Sequence, residues 1–265
     1  AGAVGLSLGL VYPPSAYAQR EELLALSRTV KQQGKLLAAH IRGYEGDLLE
    51  SIDEFVDLLR GSGAPGLLSH LQSAGRPNWG QMEAALGKLE LARDQGIDIS
   101  FDMYPYPAGS SYILQLLPHD ALEGGIDALI PRLSQAEFRA KLLGYLEGPA
   151  TSPTPPSKVS LIGWGNIQIS GVSNPALKKL EGQNMVQAAQ CLNITPFDLL
   201  VRLIREDQGQ TGILMFQLDE KDLHAACTHR LHMVGSDGLP RPGTKPHPRA
   251  YGTFPRVAGR LRRQG

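Results

Sequence analysis

The sequence predicts an α/β fold built on parallel strands, and three observations support this prediction. Short apolar runs alternate with segments whose apolar residues recur at helical spacing across residues 6–106. The turns between them are short, and a glycine often follows the last apolar residue of a helical segment. Polar side chains come directly after the apolar runs. This alternation is typical of successive βα units, which build a parallel sheet covered by helices.

Five short apolar runs are predicted to form strands. Turn residues bound each run, and each is shorter than an ordinary helix. The predicted strands occupy residues 6–11, 36–39, 66–68, 97–103 and 231–235. The periodicity alone fits either a barrel or a doubly wound sheet.

Three amphipathic segments connect the first four strands. Their apolar residues lie about one helical turn apart, so one face of each helix would cover the sheet. These residues are Leu23, Leu26 and Val30, then Leu48, Ile52, Phe55, Val56 and Leu59, then Met82, Leu86 and Leu89. Gly34, Gly61 and Gly96 are predicted to end the helices, because glycine adopts the left-handed backbone found at helix ends.

The regular alternation stops after Pro107. Residues 118–147 are predicted to be helical in pieces and residues 148–156 to form an irregular loop. Thr195-Pro196 predicts the start of another helix, with threonine as the N-cap. We therefore predict βα units of a barrel or a doubly wound sheet in residues 1–106 and a large insertion in residues 107–230; long insertions beside an active site often act as lids. The last strand and its following loop would occupy residues 231–265.

The composition limits the classes of function. Twenty-six lysine and arginine residues balance 26 aspartate and glutamate residues, so no strong overall field would attract nucleic acid or an anionic membrane. No run reaches the roughly 18 apolar residues of a membrane span. Two cysteines, Cys191 and Cys227, are too few for a disulfide scaffold and suit a reducing compartment. We expect a cytoplasmic protein with a small-molecule ligand and with no nucleic-acid or membrane partner.

Four chemically capable side chains follow the predicted strands: His40, His70, Tyr104 and Asp237. In parallel α/β folds the loops after the strands converge, and catalytic groups collect there. Two imidazoles and a carboxylate on one edge suit a zinc site in which the carboxylate handles protons. The alternative is that one histidine is a hydrogen-bonded core residue and that Asp237 only shapes the Ser-Asp-Gly turn.

Five longer runs occur in order along the chain. They are Ala39-His40-Ile41-Arg42, Ser69-His70-Leu71-Gln72-Ser73-Ala74-Gly75, Asp102-Met103-Tyr104-Pro105-Tyr106, Gly235-Ser236-Asp237-Gly238 and the segment from His247 to Arg256. Together they resemble the N-acyl-D-amino-acid deacylases (D-aminoacylases) of the amidohydrolase superfamily. The resemblance runs from Ala1 to about Arg260. It implies a zinc-dependent (β/α)8 TIM barrel that hydrolyses N-acyl-D-amino acids to a carboxylate and a free D-amino acid.

The resemblance also implies a role for individual residues. His40 and His70 match zinc ligands on successive barrel strands. Asp237 matches the catalytic aspartate, which takes a proton from the attacking water and passes one to the leaving amine. Tyr104 and Arg249 match residues that hold the α-carboxylate of the substrate.

The sequence departs from the family pattern in two ways. Gln72 stands where the family often has a lysine that helps to hold the substrate carboxylate, so a donor is kept and its charge is lost. The family's His-x-His pair and the cysteine that follows it are absent from the 265 residues. We therefore expect a fragment that begins near the fourth strand and supplies about the second half of the barrel, with the large insertion before its last strand.

Two other functions remain open. One is a cyclic amide or imide hydrolase of the same superfamily; such enzymes commonly use a carboxylated lysine, and no lysine ends a predicted strand here. The other is an inactive truncated remnant that binds a small carboxylate or nothing, because two imidazoles without a third ligand should hold zinc poorly.

Overall fold

The computed structural model describes residues 2–149, 156–239 and 242–261, and the chain divides into two compact units. Unit 1 contains the chain up to residue 106, residues 218–237 and the segment from residue 251 onward. Unit 2 contains residues 107–217 and 238–250. Each unit has its own hydrophobic core. A single insertion over residues 107–230 stays a prediction; residues 218–230 group with unit 1.

Strands are numbered in chain order over the described residues. They are β1 (Gly5–Gly9), β2 (Leu36–His40), β3 (Gly66–Leu68), β4 (Ile99–Met103), β5 (Ala108–Tyr112), β6 (Ile167–Gly171), β7 (Gly212–Phe216) and β8 (His232–Val234).

The α-helices are numbered in the same way, and short 3-10 turns lie between several of them. They are α1 (Arg20–Gln32), α2 (Leu48–Ser62), α3 (Met82–Asp94), α4 (Gly125–Arg132), α5 (Ala136–Glu147), α6 (Lys158–Ile162), α7 (Met185–Leu192), α8 (Pro196–Glu206), α9 (Glu220–Thr228) and α10 (Arg249–Arg256). A π-helical segment, Val257–Leu261, follows α10.

Unit 1 is built on one parallel sheet in the order β1-β2-β3-β4-β8. One residue from each strand forms a row across this sheet, in the order Leu8, Ala39, Leu68, Phe101 and His232. All five predicted strands are present, and the predicted α/β class is confirmed. Because the strands are parallel, their carboxyl ends lie on the same edge of the sheet.

The helices of unit 1 bury most of the apolar residues that their spacing predicts, and Leu26 of α1, at 39% exposed, is an exception. In α2, Leu48, Ile52, Phe55 and Leu59 are at most 1% exposed. The predicted end of this helix at Gly61 was wrong, because Gly61 lies within α2. The helix ends one residue before Gly63, which has a φ of +69° and a backbone N–H that donates to the Leu59 carbonyl.

Unit 2 contains an antiparallel sheet in the order β5-β7-β6, which the sequence analysis did not predict. The helical pieces predicted over residues 118–147 are present as 3-10 turns, α4 and α5. The predicted cap of α8 is confirmed, since the Thr195 side chain accepts a hydrogen bond of 3.0 Å from the Asp198 amide. Residues 150–155, most of the predicted loop over residues 148–156, lie outside the described residues.

Among the helices that the structure describes, none combines the length and the apolar character needed to cross a membrane.

Candidate active site

The structure brings His40 and His70 together at the carboxyl edge of the unit 1 sheet. His40 is the last residue of β2, and His70 follows the end of β3 by two residues. These strands are adjacent and parallel, with Ala39 opposite Leu68. The centroids of the two imidazole rings are 4.4 Å apart, and the ring planes meet at 76°. His40 is half-buried, whereas His70 is only 7% exposed.

Tyr44 packs against both imidazoles, and the sequence analysis did not predict it. Its ring centroid lies 4.9 Å from that of His40 and 5.1 Å from that of His70. Its hydroxyl accepts a hydrogen bond of 3.0 Å from the Ile41 amide and donates one of 3.0 Å to the Ser69 carbonyl. Burial raises the pKa of the Tyr44 hydroxyl well above its usual value, so the hydroxyl keeps the proton that it donates.

Asp102 is the second residue that the sequence analysis missed. Its Oδ1 atom accepts a hydrogen bond of 2.7 Å from the backbone amide of His70, and its carbonyl accepts one of 2.9 Å from Leu71. Burial raises the pKa of the Asp102 carboxyl above its usual value, while the bond from the His70 amide opposes this rise. A carboxylate at the last polar position of a strand in which apolar and polar residues alternate was the signal that could have identified it, because charges that are partly buried need partners.

Asp237 lies just beyond β8, at the same edge of the sheet. It is exposed and has a φ of +45°, a left-handed backbone that aspartate adopts more readily than most residues. The charge of Asp237 is near enough to Asp102 to contribute to the raised pKa of the Asp102 carboxyl. Gly235 also lies against Asp102, since a Cβ atom added to this glycine would be 2.7 Å from the carboxyl carbon. The two carboxylates and the two imidazoles therefore share one edge of unit 1.

The proposed carboxylate-binding residues of unit 1 are both buried. Tyr104 follows β4 directly and is 1% exposed. It is close enough to Tyr44 to contribute to the raised pKa of the Tyr44 hydroxyl, which places it near the histidine pair. Gln72 is 8% exposed and lies two residues after His70. The structure therefore brings Tyr104 to the carboxyl edge and leaves Gln72 in the loop that carries His70.

Arg249 belongs to unit 2, where it is 2% exposed. Its backbone amide donates a hydrogen bond of 2.9 Å to Nδ1 of His247, and Nε2 of His247 lies 2.8 Å from the Ala108 carbonyl. Because Nδ1 accepts, Nε2 carries the proton and donates to Ala108. Burial, followed by the nearby Arg249 charge, lowers the pKa of His247 to about 4. A neutral histidine therefore fixes the backbone from which the Arg249 side chain extends.

The imidazole pair fits part of a zinc donor set. Neutral imidazole nitrogens are favoured zinc ligands, and the Nδ1 atom of His70 is buried. Catalytic zinc sites commonly take three protein ligands. Within the described ranges, no group of three or more histidine, cysteine, aspartate or glutamate side chains is arranged to hold a metal ion. His40 and His70 could thus supply two ligands of a site whose remaining ligands come from elsewhere.

Comparison with known proteins supports the resemblance seen in the sequence. No family model matches the chain. The chain is 33% identical over 265 residues to an N-acyl-D-glutamate deacylase of Alcaligenes xylosoxydans xylosoxydans, and the match covers all of this chain and 44% of that protein. It is 28% identical to a D-aminoacylase of the same organism, over 99% of this chain and 43% of that protein.

Solved structures give the same result. An N-acyl-D-glutamate deacylase from Bordetella bronchiseptica, complexed with zinc and a phosphonate inhibitor that mimics the tetrahedral intermediate, matches with a TM-score of 0.74 and 28% identity. That match covers all of this chain and 45% of the solved chain. A crystal structure of D-aminoacylase matches with a TM-score of 0.72 and 26% identity, over 99% of this chain and 44% of that one.

The similarity to the N-acyl-D-amino-acid deacylases thus extends over the whole chain and includes its fold. The chain spans less than half the length of the relatives that it matches.

Proposed function

We propose that this chain forms part of a zinc-dependent amidohydrolase that cleaves N-acyl-D-amino acids to a carboxylate and a free D-amino acid. The observation that carries the proposal is the His40–His70 pair, 4.4 Å between ring centroids, beside the carboxylates of Asp102 and Asp237. The 33% identity to an N-acyl-D-glutamate deacylase supplies the substrate class. The roles of individual residues below belong to this proposal.

His40 and His70 would hold the zinc ion through ring nitrogens. When bound, zinc supplies Lewis-acid chemistry, since it polarises an amide carbonyl and lowers the pKa of a water molecule. The two histidines contribute no charge, so the ion keeps most of its positive charge for this chemistry. The remaining ligands would come from a His-x-His pair and the cysteine that follows this pair in the family; the family resemblance implies this motif, and the 265 residues do not contain it.

Asp237 would move the protons of the reaction. Its exposed carboxylate can accept a proton from the attacking water and then donate one to the amine that leaves. The half-buried Asp102 carboxylate beside it would remain engaged with the His70 amide, so the two acids would have different tasks. Such a difference in environment is the usual way in which neighbouring carboxylates are given separate roles.

The family resemblance assigns the binding of the substrate α-carboxylate to Tyr104 and Gln72 in unit 1 and, separately, to Arg249 in unit 2. A guanidinium can grip a carboxylate with two parallel hydrogen bonds, and a tyrosine hydroxyl can donate one. Burial favours this role, because a desolvated donor binds an anion more strongly than a donor in water. Glutamine at residue 72 would add a neutral donor to this set.

A second candidate is a polypeptide that binds a metal or a carboxylate and does not turn over. The observation that favours it is that, among the described residues, no third histidine, cysteine, aspartate or glutamate side chain is placed to complete a metal site with the histidine pair. The two candidates differ in one measurable respect, which is release of the amine.

The test uses the polypeptide encoded by the complete reading frame that contains these residues. We expect zinc-dependent release of free amino acid from N-acetyl-D-glutamate or another N-acetyl-D-amino acid, and none from the L-enantiomers. Asp237→Asn should lower kcat by about 100-fold or more, because general acid–base catalysis contributes on that order. Asp94→Asn, which changes a carboxylate that is 75% exposed on α3, is the matched control and should leave kcat unchanged.

The opposite result is equally clear. If the zinc-loaded polypeptide releases no amine from any D-substrate, the hydrolase assignment is wrong and the binding-only candidate stands. Release by Asp237→Asn at the parent rate would remove Asp237 from the mechanism.

A further inference from the structure

A single hydroxyl group links the two backbone segments that carry the candidate zinc ligands. The amide that donates to Tyr44 belongs to Ile41, the residue directly after His40. The carbonyl that accepts from Tyr44 belongs to Ser69, the residue directly before His70. Both bonds are 3.0 Å long and involve a side chain that is 5% exposed. The hydroxyl thus uses its one donor and one of its acceptor sites to join the ends of β2 and β3.

The hydroxyl of Tyr44 binds the two backbone segments, and its ring packs against the two imidazoles. The ring meets the imidazole of His40 nearly edge-on, at 88°, and that of His70 at 50°. Ring contacts at these distances favour particular orientations of both partners. Tyr44 therefore constrains each histidine in two ways. Its hydroxyl holds the backbone next to the histidine, and its ring packs against the imidazole.

We propose that Tyr44 is a positioning residue that sets the spacing and orientation of the His40 and His70 imidazoles for the metal. This inference deepens the proposed function and rests on it for the identity of the ligand. Outer partners that orient metal-binding histidines commonly change metal affinity by about 10- to 100-fold when they are removed. Tyr44 acts on the histidines without being a metal ligand itself.

Tyr44→Phe isolates the role of the hydroxyl, because the ring is kept and only one oxygen atom is removed. Tyr17→Phe is the matched control, since the Tyr17 side chain lies in the same unit and is 62% exposed. Both variants are made in the polypeptide of the complete reading frame. For the measurements on the histidine rings, only the histidines carry an isotope label for nuclear magnetic resonance. Thermal unfolding of each variant is recorded, so that a loss of stability can be separated from a change in the site.

The first readout needs no metal. In the parent protein, nuclear Overhauser contacts should join the rings of His40 and His70, because their centroids lie 4.4 Å apart. We expect Tyr44→Phe to weaken these contacts at least twofold and to shift the ring protons of both histidines, while Tyr17→Phe changes neither. A merely structural role would lower the unfolding midpoint and leave the inter-ring contacts of the folded variant intact, and that result overturns the proposal.

The second readout is zinc affinity, measured by competition with a chromophoric chelator. Tyr44→Phe should raise the dissociation constant about 10-fold or more, and Tyr17→Phe should raise it less than twofold. An unchanged affinity in Tyr44→Phe overturns the proposal. If the parent protein binds no zinc, the proposed function fails, and the inter-ring contacts alone still decide whether Tyr44 positions the histidines.

If Tyr44→Phe does not fold, the proposal is tested on the parent protein by the exchange of the Tyr44 hydroxyl proton with solvent. A hydroxyl proton held between Ile41 and Ser69 should exchange slowly with solvent and show a contact to the Ile41 amide proton. A hydroxyl proton that exchanges at the rate of the Tyr17 hydroxyl would overturn the proposal.

Discussion

The backbone amide of His70 donates a 2.7 Å hydrogen bond to the Oδ1 atom of Asp102. This bond joins the loop after β3 to the neighbouring strand β4. His70 has a φ of +41°, a left-handed backbone that most residues with a side chain avoid. The carboxylate thus helps to hold an unfavourable backbone conformation at a candidate zinc ligand, which is typical of functional sites.

Removing the Asp102 carboxylate should destabilise unit 1. Asp102→Ala leaves the His70 amide without this acceptor, and we expect the free energy of unfolding to fall by about 2 kcal/mol. Asp102→Asn keeps an oxygen acceptor and loses the repulsion from Asp237, so it should cost less than half as much. Urea denaturation followed by circular dichroism measures both variants. Equal losses in the two variants would show that the charge matters and the hydrogen bond does not.

Gly235 should not tolerate a side chain. A Cβ atom there would lie 2.7 Å from both Cγ and Oδ1 of Asp102, so Gly235→Ala should lower the free energy of unfolding by about 1–3 kcal/mol. Gly87→Ala is the control, because no atom lies within 4 Å of the added carbon and the residue is inside α3. That substitution should stabilise the protein by about 0.5–1 kcal/mol. A parent-like stability of Gly235→Ala would contradict the close approach of Asp102 to the backbone directly after β8.

The protein should lose stability in mild acid through His247. Its pKa in the folded chain is lowered from the ordinary 6.5 to about 4. Between these values the unfolded chain binds a proton that the folded chain does not, so stability is complete above pH 6.5 and falls as the pH drops towards 4. The loss over this range should be about 3 kcal/mol.

The measurement is the free energy of unfolding in urea at several values between pH 4 and pH 7. His247→Asn removes the titrating group while its Oδ1 atom can still accept from the Arg249 amide, and it should flatten the profile. His119→Asn, at an exposed histidine of the same unit, should leave the slope unchanged. An identical slope in all three proteins would mean that other groups cause the acid loss.

Replacing Arg249 by lysine should mainly weaken substrate binding. Lysine keeps the positive charge and loses the fork that grips a carboxylate with two hydrogen bonds. We expect KM for an N-acyl-D-amino acid to rise about 10-fold or more with a smaller change in kcat. Arg202→Lys, on α8, is the control because its side chain is 42% exposed. Unchanged kinetics in Arg249→Lys would place the substrate carboxylate elsewhere.

The sequence was informative where local pattern and structure coincide. The five parallel strands were predictable because each is a short apolar run next to a helix with one apolar face. The strands of unit 2 were not predicted, since β5 reads Ala-Gly-Ser-Ser-Tyr and has no apolar run. Its partner β7 is apolar but lies far away in sequence, and pairing over such a separation leaves no local signal.

The same contrast applies to the site. His40, His70 and Asp237 could be predicted as site residues because each lies at or just after the end of a strand, and parallel strands end on one edge of the sheet. Tyr44 could not, because its importance depends on two backbone groups, at Ile41 and Ser69, that meet only in the folded chain. Asp102 left a trace in the sequence as a charged residue near the end of a predicted strand.

The pairing of Ala108 with Phe216 affects which changes in length and sequence the segment between them can accept. Residues opposite each other in an antiparallel pair lie about 5 Å apart. The Gln217 amide also donates a 3.2 Å hydrogen bond to the Pro107 carbonyl. The first and last residues of the segment 107–217 therefore lie next to each other. Because its two ends are adjacent, such a segment can change in length or be replaced by another one with little change to the path of the chain outside it.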